Sequence, residues 1–301
     1  MVERTVGGDG VELCTESFGD PADPPVLLVM GIGASMLWWE EGFCRLLSGG
    51  RRFVIRYDHR DTGRSTTYPP GRPGYTGADL VADAARVLDG HGIPAAHVVG
   101  VSAGGALAQL LALDDPGRVL SLVLISTSSA VPGDQALPAP AEELMAFLAA
   151  AGPGPSDADA LVGHLVAYAR LLSGGRRPFD EAAVRDLARR EVGRARDIAA
   201  ARNHDALPEG GPTRAPLSSI AVPVLVVHGT ADPMFPLPHG EDLAERIPGA
   251  RLLTLPDAGH GLDRADWPTV VRAVLDHTAA AEDPAGADLT GEDPAGEGPA
   301  G

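Results

Sequence analysis

The sequence predicts an α/β fold, with a mostly parallel central sheet, helices on both faces and a helical insertion serving as a lid. Three observations carry this. From about residue 11 to residue 129, short apolar runs alternate with stretches of helical spacing, the pattern of parallel strands covered on both sides. The strand signal then stops from about residue 131 to residue 216 and returns at Val222. Finally, Gly100-Val101-Ser102-Ala103-Gly104 joins an apolar run to a helical stretch, so a Gly-x-Ser-x-Gly string stands in strand–turn–helix context.

The elements follow in order. Val26-Leu27-Leu28-Val29-Met30 reads as a strand, because a short bounded apolar run suits a buried strand. Residues 36–47 have helical spacing, and Phe53-Val54-Ile55-Arg56-Tyr57 is the next strand. Residues 78–88 set Leu80, Val81, Ala84 and Val87 on one stripe, the mark of an amphipathic helix. The β-branched run at 97–101 leads into the serine, and residues 105–113 form a helix with small residues on its first turn. A strand at 119–125 closes this part. In the insertion, 141–150, 158–172 and 181–201 are helical and joined by Pro/Gly breaks. Its residues Leu144, Phe147, Leu161, Leu165, Tyr168 and Leu171 suit either a core of its own or the wall of a substrate site. Strands at 222–228 and 251–255 flank a helix at 240–247, and 264–280 is the last helix. The end repeats Glu-Asp-Pro-Ala-Gly, too poor in apolar surface to offset its chain entropy. The expected organisation is therefore core 1–130, helical lid 131–216, core 217–281 and a disordered acidic tail 282–301.

Composition narrows the function. The chain has 301 residues, 44% of them hydrophobic, enough for one large α/β domain with an insertion. A net charge of −17 argues against nucleic acid or an anionic membrane as partner. The tail holds six acids and no base, so the body is acidic as well. Every basic residue is arginine, which reads as codon bias rather than chemistry. Cys14 and Cys44 stand apart from any CxxC or His/Cys cluster, as core residues of a reducing cytoplasm do. No apolar stretch reaches the roughly 20 residues of a spanning helix, and the first residues lack a signal-peptide run.

A serine made nucleophilic needs a base and a group that orients the base. The elbow glycines Gly100 and Gly104 let strand and helix approach, which exposes Ser102 above the sheet and leaves the Ala103 N–H free at a helix start. Asp232 stands on the turn closing the strand at 222–228, and His260 on the turn closing the strand at 251–255. Both turns lie at the carboxyl ends of parallel strands, where open α/β sheets bind ligands.

The chain resembles the α/β-hydrolases over about residues 11–280, and within them the anthracycline (aclacinomycin) methylesterase type. The resembling segments are Phe18-Gly19-Asp20-Pro21-Ala22-Asp23-Pro24, Val29-Met30-Gly31, Arg56 to Thr66, His97-Val98-Val99-Gly100, Leu172-Ser173-Gly174 and Pro178-Phe179-Asp180. The resemblance implies Ser102 as nucleophile, His260 as base and Asp232 as orienting acid. It implies an oxyanion hole from the N–H groups of Ile32 and Ala103, with Gly31 beside it. The activity implied is hydrolysis of a carboxylic ester, the methyl ester of a polyketide-like small molecule, with no metal or organic cofactor. The chain departs from many members in having Met30-Gly31 where they have His-Gly, and Ile32 where they have Gly. Ala103 replaces the larger Met of the methylesterase type.

Simpler roles compete for several of these residues. Ser102 could be an ordinary helix-start residue, but both partners follow in the Ser–acid–His order. Asp257 and Asp263 lie close to His260 in sequence, yet neither closes a strand as Asp232 does. Gly31-Ile32-Gly33 hints at a dinucleotide turn, and Met36 at the third glycine position rules it out. Asp58, Arg60, Asp61 and Arg64 are expected to tie down the loop after the strand at 53–57. His59 and His204 read as lone structural histidines with no metal-ligand spacing. Of Trp38 and Trp39, one is expected on the sheet and the other in the pocket, alongside Gly31, Phe147 and Tyr168. The same scaffold also serves decarboxylation, C–C bond hydrolysis, perhydrolysis and ligand binding without catalysis.

Overall fold

Alternate side chains of a strand point to opposite faces, and the apolar residues of this chain sort that way. The computed structural model describes residues 3–133, 135–154, 156–208 and 215–283; of the tail expected at 282–301, Glu282 ends the last helix and residues 284–301 lie outside the described residues. Its strands are β1 (Arg4–Gly8), β2 (Val11–Phe18), β3 (Pro25–Val29), β4 (Phe53–Tyr57), β5 (Ala96–Val101), β6 (Val119–Ile125), β7 (Val224–Gly229) and β8 (Arg251–Leu255). They form one sheet in the order β1-β2-β4-β3-β5-β6-β7-β8. Strand β2 is antiparallel to β1 and β4, and the remaining pairs are parallel.

The helices are α1 (Glu41–Gly49), α2 (Gly77–Gly90), α3 (Ala103–Asp114), α4 (Glu142–Ala149), α5 (Ala158–Leu172), α6 (Glu181–Arg194), α7 (Pro238–Arg246) and α8 (Trp267–Glu282). Leu27, Val29, Ile55, Val98, Leu122, Leu124 and Val226 face α2, α3 and α7, meeting Leu80, Leu107, Leu111 and Leu243. Their neighbours Val26, Leu28, Val54, Val99, Val123 and Val227 face α1 and α8, meeting Phe43, Leu47, Val270 and Val274. Each such side chain contributes about 1.5–3 kcal/mol on burial, so this two-sided layer fixes the register of the sheet. Between β6 and β7 stands the cap, made of α4, α5, α6 and a 3-10 segment (Ile198–Ala206), with a small core of Val162, Val166 and Ala188. Among the described residues no helix is long and apolar enough to cross a membrane.

Three segments differ from expectation. The β1–β2 hairpin was not predicted, because β1 buries only Val6 and β2 interleaves Glu12, Thr15 and Glu16 with its apolar residues. The helix expected over 36–47 is a 3-10 turn (Met36–Trp38) followed by α1. The buried Arg56 guanidinium donates to the Met36 and Trp39 carbonyls where the chain leaves the 3-10 turn, and Trp39 N–H closes that turn on the Met36 carbonyl. The helix expected over 181–201 stops at Arg194. Arg196 N–H bonds to the Gly63 carbonyl at 2.8 Å, and Asp197 starts the 3-10 segment by accepting from Ala199 N–H.

The chain runs from β3 out to β4 and returns to place β5 on the other side of β3. The loops after β3 and β5 therefore flank the point where strand order reverses, at the carboxyl edge.

Candidate active site

Close backbone approach dictates the turn after β5. A Cβ on Gly100 would lie 2.3 Å from the Gly104 carbonyl oxygen, and one on Gly104 would lie 2.2 Å from that of Val29. Only glycine fits either place. Ser102, between them, adopts φ 54° and ψ −128°, a conformation that costs a residue with a Cβ on the order of 1–3 kcal/mol. Hydrogen bonds hold it there, from Ser102 N–H to the Ile125 carbonyl at 2.9 Å and from Thr127 Oγ1 to the Ser102 carbonyl at 2.7 Å. The side chain is left half-buried at the mouth of α3.

Asp232 follows β7 and is buried. Its Oδ1 accepts from Met234 N–H at 2.8 Å and from Phe235 N–H at 2.9 Å. His260, on the turn after β8, brings Nδ1 to 2.9 Å from Asp232 Oδ2 and 3.1 Å from Oδ1. The Phe235 ring stands at 61° to the imidazole, 5.6 Å away. Asp257 is exposed, and Asp263 accepts from Ala265 N–H, so neither serves His260. Gly261 N–H bonds to Ser126 Oγ at 3.2 Å, directly after the β6 residue that receives Ser102 N–H. The serine turn and the histidine turn are thus seated on the same strand end. Among the described residues Ser102 Oγ has no hydrogen-bond partner; in free enzymes this bond is often long and tightens with substrate.

One neighbour of the acid was invisible in the sequence. His228, fully buried on β7, donates from Nε2 to the Phe235 carbonyl at 2.7 Å and lies 3.6 Å from Asp232 Oδ2. Burial holds its pKa below the ordinary histidine range.

The loop after β3 passes against the serine, where a Cβ on Gly31 would lie 3.3 Å from Ser102 Cβ. Ile32 N–H and Ala103 N–H bond to no other group among the described residues. The Ile32 side chain is 42% exposed, so its bulk does not occupy the floor beneath the serine. Asp58 Oδ1 accepts from Met36 N–H at 2.9 Å, and burial raises its pKa. Arg60 forms a buried two-point pair with Asp83, while Asp61 accepts from Tyr75 Oη and Asn203 Nδ2. The segment 58–66 is a bonded hub beneath this loop.

The cap reaches the turns after β3, β7 and β8. Leu172, the last residue of α5, accepts from His260 N–H at 2.7 Å. Gly174 packs so closely that a Cβ there would lie 2.3 Å from the Ala231 carbonyl oxygen, beside the acid. Glu191 on α6 accepts from Ser35 N–H at 3.1 Å and bonds its Oγ; burial pushes its carboxyl up to about 7. His204 accepts from Gly33 N–H at 2.8 Å. Sequence reasoning, which read His204 as a lone structural histidine, missed these contacts because each joins segments far apart in the chain, and a lone Glu or His on a helix carries no local signal of its partner.

Of the two tryptophans between which the sequence did not choose, Trp39 is the one in the core and not in the pocket. It is 2% exposed and stacks on Phe43 in the core beside α1. Trp38 is half-buried. Phe147 and Tyr168 lie parallel, at 6° and 5.9 Å, and His164 stacks on Phe147 at 4.6 Å. Tyr168 stands one helical turn before Leu172. Cys14 and Cys44 are buried free thiols, both pushed up to about 12 by burial. Among the described residues no group of three or more His, Cys, Asp or Glu side chains could hold a metal ion.

A family model described as alpha/beta hydrolase fold matches residues 24–262. The chain is similar to rhodomycin D methylesterase DauP of Streptomyces sp. (strain C5), 36% identical over 296 residues, covering 93% of this chain and 99% of the relative. Rhodomycin D methylesterase DnrP of Streptomyces peucetius matches with the same identity and coverage. In three dimensions the chain is similar to an esterase from Rhodococcus sp. ECU1013, with TM-score 0.68 and 23% identity over 92% of this chain and 99% of that one.

Proposed function

The chain belongs to the alpha/beta hydrolase family and is a carboxylic-ester hydrolase, and from that premise we propose that it works through an acyl-enzyme on Ser102. His260 Nε2 takes the hydroxyl proton as Ser102 Oγ attacks the ester carbonyl. Asp232 holds Nδ1–H and stabilises the imidazolium that forms. The oxyanion sits between Ile32 N–H and Ala103 N–H, each worth roughly 3–4 kcal/mol in comparable sites. His260 returns the proton to the leaving alkoxide, and the alcohol departs. Water then attacks the acyl-enzyme by the same route, releasing the acid and restoring Ser102. The observation that carries this reading is the 2.9 Å contact of His260 Nδ1 with Asp232 Oδ2, at the sheet edge where Ser102 is held in its strained turn.

The substrate we infer is the methyl ester of a polyketide-like small molecule. The two methylesterase relatives support it, as does the stack of Phe147, His164 and Tyr168, flat surfaces suited to a planar acyl group. Trp38 belongs to the same pocket in this reading. Two buried, unpaired thiols suit a reducing cytoplasm.

The test is Ser102→Ala. A variant with wild-type circular dichroism is expected to lose turnover of p-nitrophenyl esters by at least about 10⁴-fold, and a fluorophosphonate should label wild type but not the variant. Activity within tenfold of wild type would sink the assignment.

A further inference from the structure

Two buried histidines outside the proposed triad grip the backbone of the loop after β3, one from the core and one from the cap. His59 donates from Nε2 to the Met30 carbonyl at 2.8 Å. His204 accepts Gly33 N–H on Nδ1 at 2.8 Å, and its Nε2–H donates to the Arg60 carbonyl at 2.8 Å. The rings meet edge to face, 6.0 Å apart at 81°. Tyr75 closes on His204 from another side, 6.3 Å away at 88°.

The positions of these bonds matter more than their number. The Met30 carbonyl belongs to the peptide unit just before the one that carries Ile32 N–H. Gly33 N–H belongs to the unit just after it. Peptide units are rigid planes joined by two soft dihedrals per residue, and the joints on either side of the middle plane are the α-carbons of Gly31 and Ile32. Glycine leaves such joints free to turn. Clamping the planes on either side removes that freedom from the plane between them.

We propose that His59 and His204 are positioning residues for ester hydrolysis, which together fix the direction of the Ile32 N–H toward the developing oxyanion. This rests on the oxyanion hole proposed above. It gives the cap a part in the chemistry, because one of the two clamps lies on the 3-10 segment after α6. The hydrogen bonds also define the protonation state. His204 can accept on Nδ1 only as a neutral ring, and burial, with His59 beside it, lowers its pKa to about 4. Burial lowers that of His59 as well.

The experiment compares His204→Phe, which keeps the ring volume and removes both bonds, with His204→Asn, whose Oδ1 can still accept Gly33 N–H. The Phe variant is expected to keep KM within about threefold and to lose kcat by about 10–100-fold, part of what deleting an oxyanion donor costs. It should bind an arylboronic acid, tetrahedral and anionic once on Ser102, weaker by the same factor, with affinity for the product acid unchanged. The Asn variant should recover most of both, and His59→Phe should repeat the pattern of His204→Phe. Turnover within threefold of wild type, or equal weakening of boronate and product, overturns the proposal. Ser102→Ala separates the two readings. If it is inactive while His204→Phe is normal, only this inference falls; if it retains turnover, the parent reading falls and this one with it. Should the Phe variants not fold, nitrogen NMR of the wild-type histidines decides. His204 is expected with Nδ1 bare and Nε2 protonated at about pH 6, and a proton on Nδ1 overturns the proposal.

Discussion

Replacing Asp232 by Asn tests the triad where the geometry dictates the outcome. Asp232 Oδ1 receives Met234 N–H and Phe235 N–H at 2.8 and 2.9 Å. An amide in the same place must keep its oxygen toward those two donors, because an NH2 there would meet N–H groups head on. Its NH2 therefore takes the place of Oδ2, 2.9 Å from His260 Nδ1. A donor at that point requires Nδ1 to accept, so the proton moves to Nε2, the nitrogen that must be bare to receive the serine proton. The expected loss in kcat is about 10⁴-fold, as in other triads forced into the wrong tautomer, or roughly 5 kcal/mol of transition-state stabilisation. KM should change little, since the substrate does not touch Asp232. The assay is initial-rate kinetics on p-nitrophenyl acetate at neutral pH, alongside a thermal melt. A well-folded variant retaining more than a tenth of wild-type kcat would refute the argument.

Two further predictions concern stability. Glu191 has its folded pKa raised from 4.5 to about 7 by burial, so its stabilising contribution is fully present below pH 4.5 and is lost as pH rises through about 7. His204 and His277 are lowered from 6.5 to about 4, so their contribution is present above pH 6.5 and lost as pH falls through about 4. Glu191→Gln removes the first effect and leaves the second. Between about pH 5 and 6.5, unfolding free energy in urea should rise with pH more steeply in the variant, by about 1.4 kcal/mol per unit; parallel curves would refute the shift. Asp83→Leu removes the two-point partner of the Arg60 guanidinium, whose side chain is 5% exposed, and leaves it the more distant Asp79 carboxylate at 3.9 Å. It should cost about 3–5 kcal/mol in the same experiment, and a cost below 1 kcal/mol would show that the pair contributes nothing to the hub.

What the sequence revealed, and what it hid, divides along the range of the interactions. The central strands were legible because a parallel sheet covered on both faces needs short unbroken apolar runs, and residues 26–29, 53–55, 122–125 and 224–227 are such runs. Gly100 and Gly104 were legible because a residue without a side chain is a local demand of the turn. Asp232 and His260 could be located because each closes a strand. The β1–β2 hairpin was not, since an edge strand half in water carries a mixed pattern. Trp39 illustrates the other limit. Two adjacent tryptophans at the start of a helix give no sign of which enters the core, and the answer depends on Phe43 and on how Arg56 ends the 3-10 turn. Arg56 itself sits in an apolar run, and nothing near it in the chain foretold the carbonyls it binds.

The sequence left open whether the apolar residues of the helical lid form a core of their own, separate from the site, or wall it, and it showed none of the polar contacts of the lid. Its bonds argue against that separation. Leu172 receives the backbone N–H of His260, Glu191 and His204 hold the loop that carries Ile32, and Arg177 ties the chain after β8 through the Pro256 carbonyl and Asp266. A swing of the whole cap away from the sheet would break all of these together. It would also leave the Glu191 carboxyl and the Gly33 N–H without partners, each loss costing roughly 1–3 kcal/mol where the group stays buried. Opening the cap as one body would thus release the loops whose geometry the reaction needs. Among the described residues α4 has fewer such ties: its Met145 and Leu148 are exposed, and the N–H of Ala141, just before it, bonds to the Pro233 carbonyl. The clamps on His260, Ser35 and Gly33 come from α5, α6 and the 3-10 segment in turn, so these parts of the insertion are bound to the loops that the proposed reaction uses.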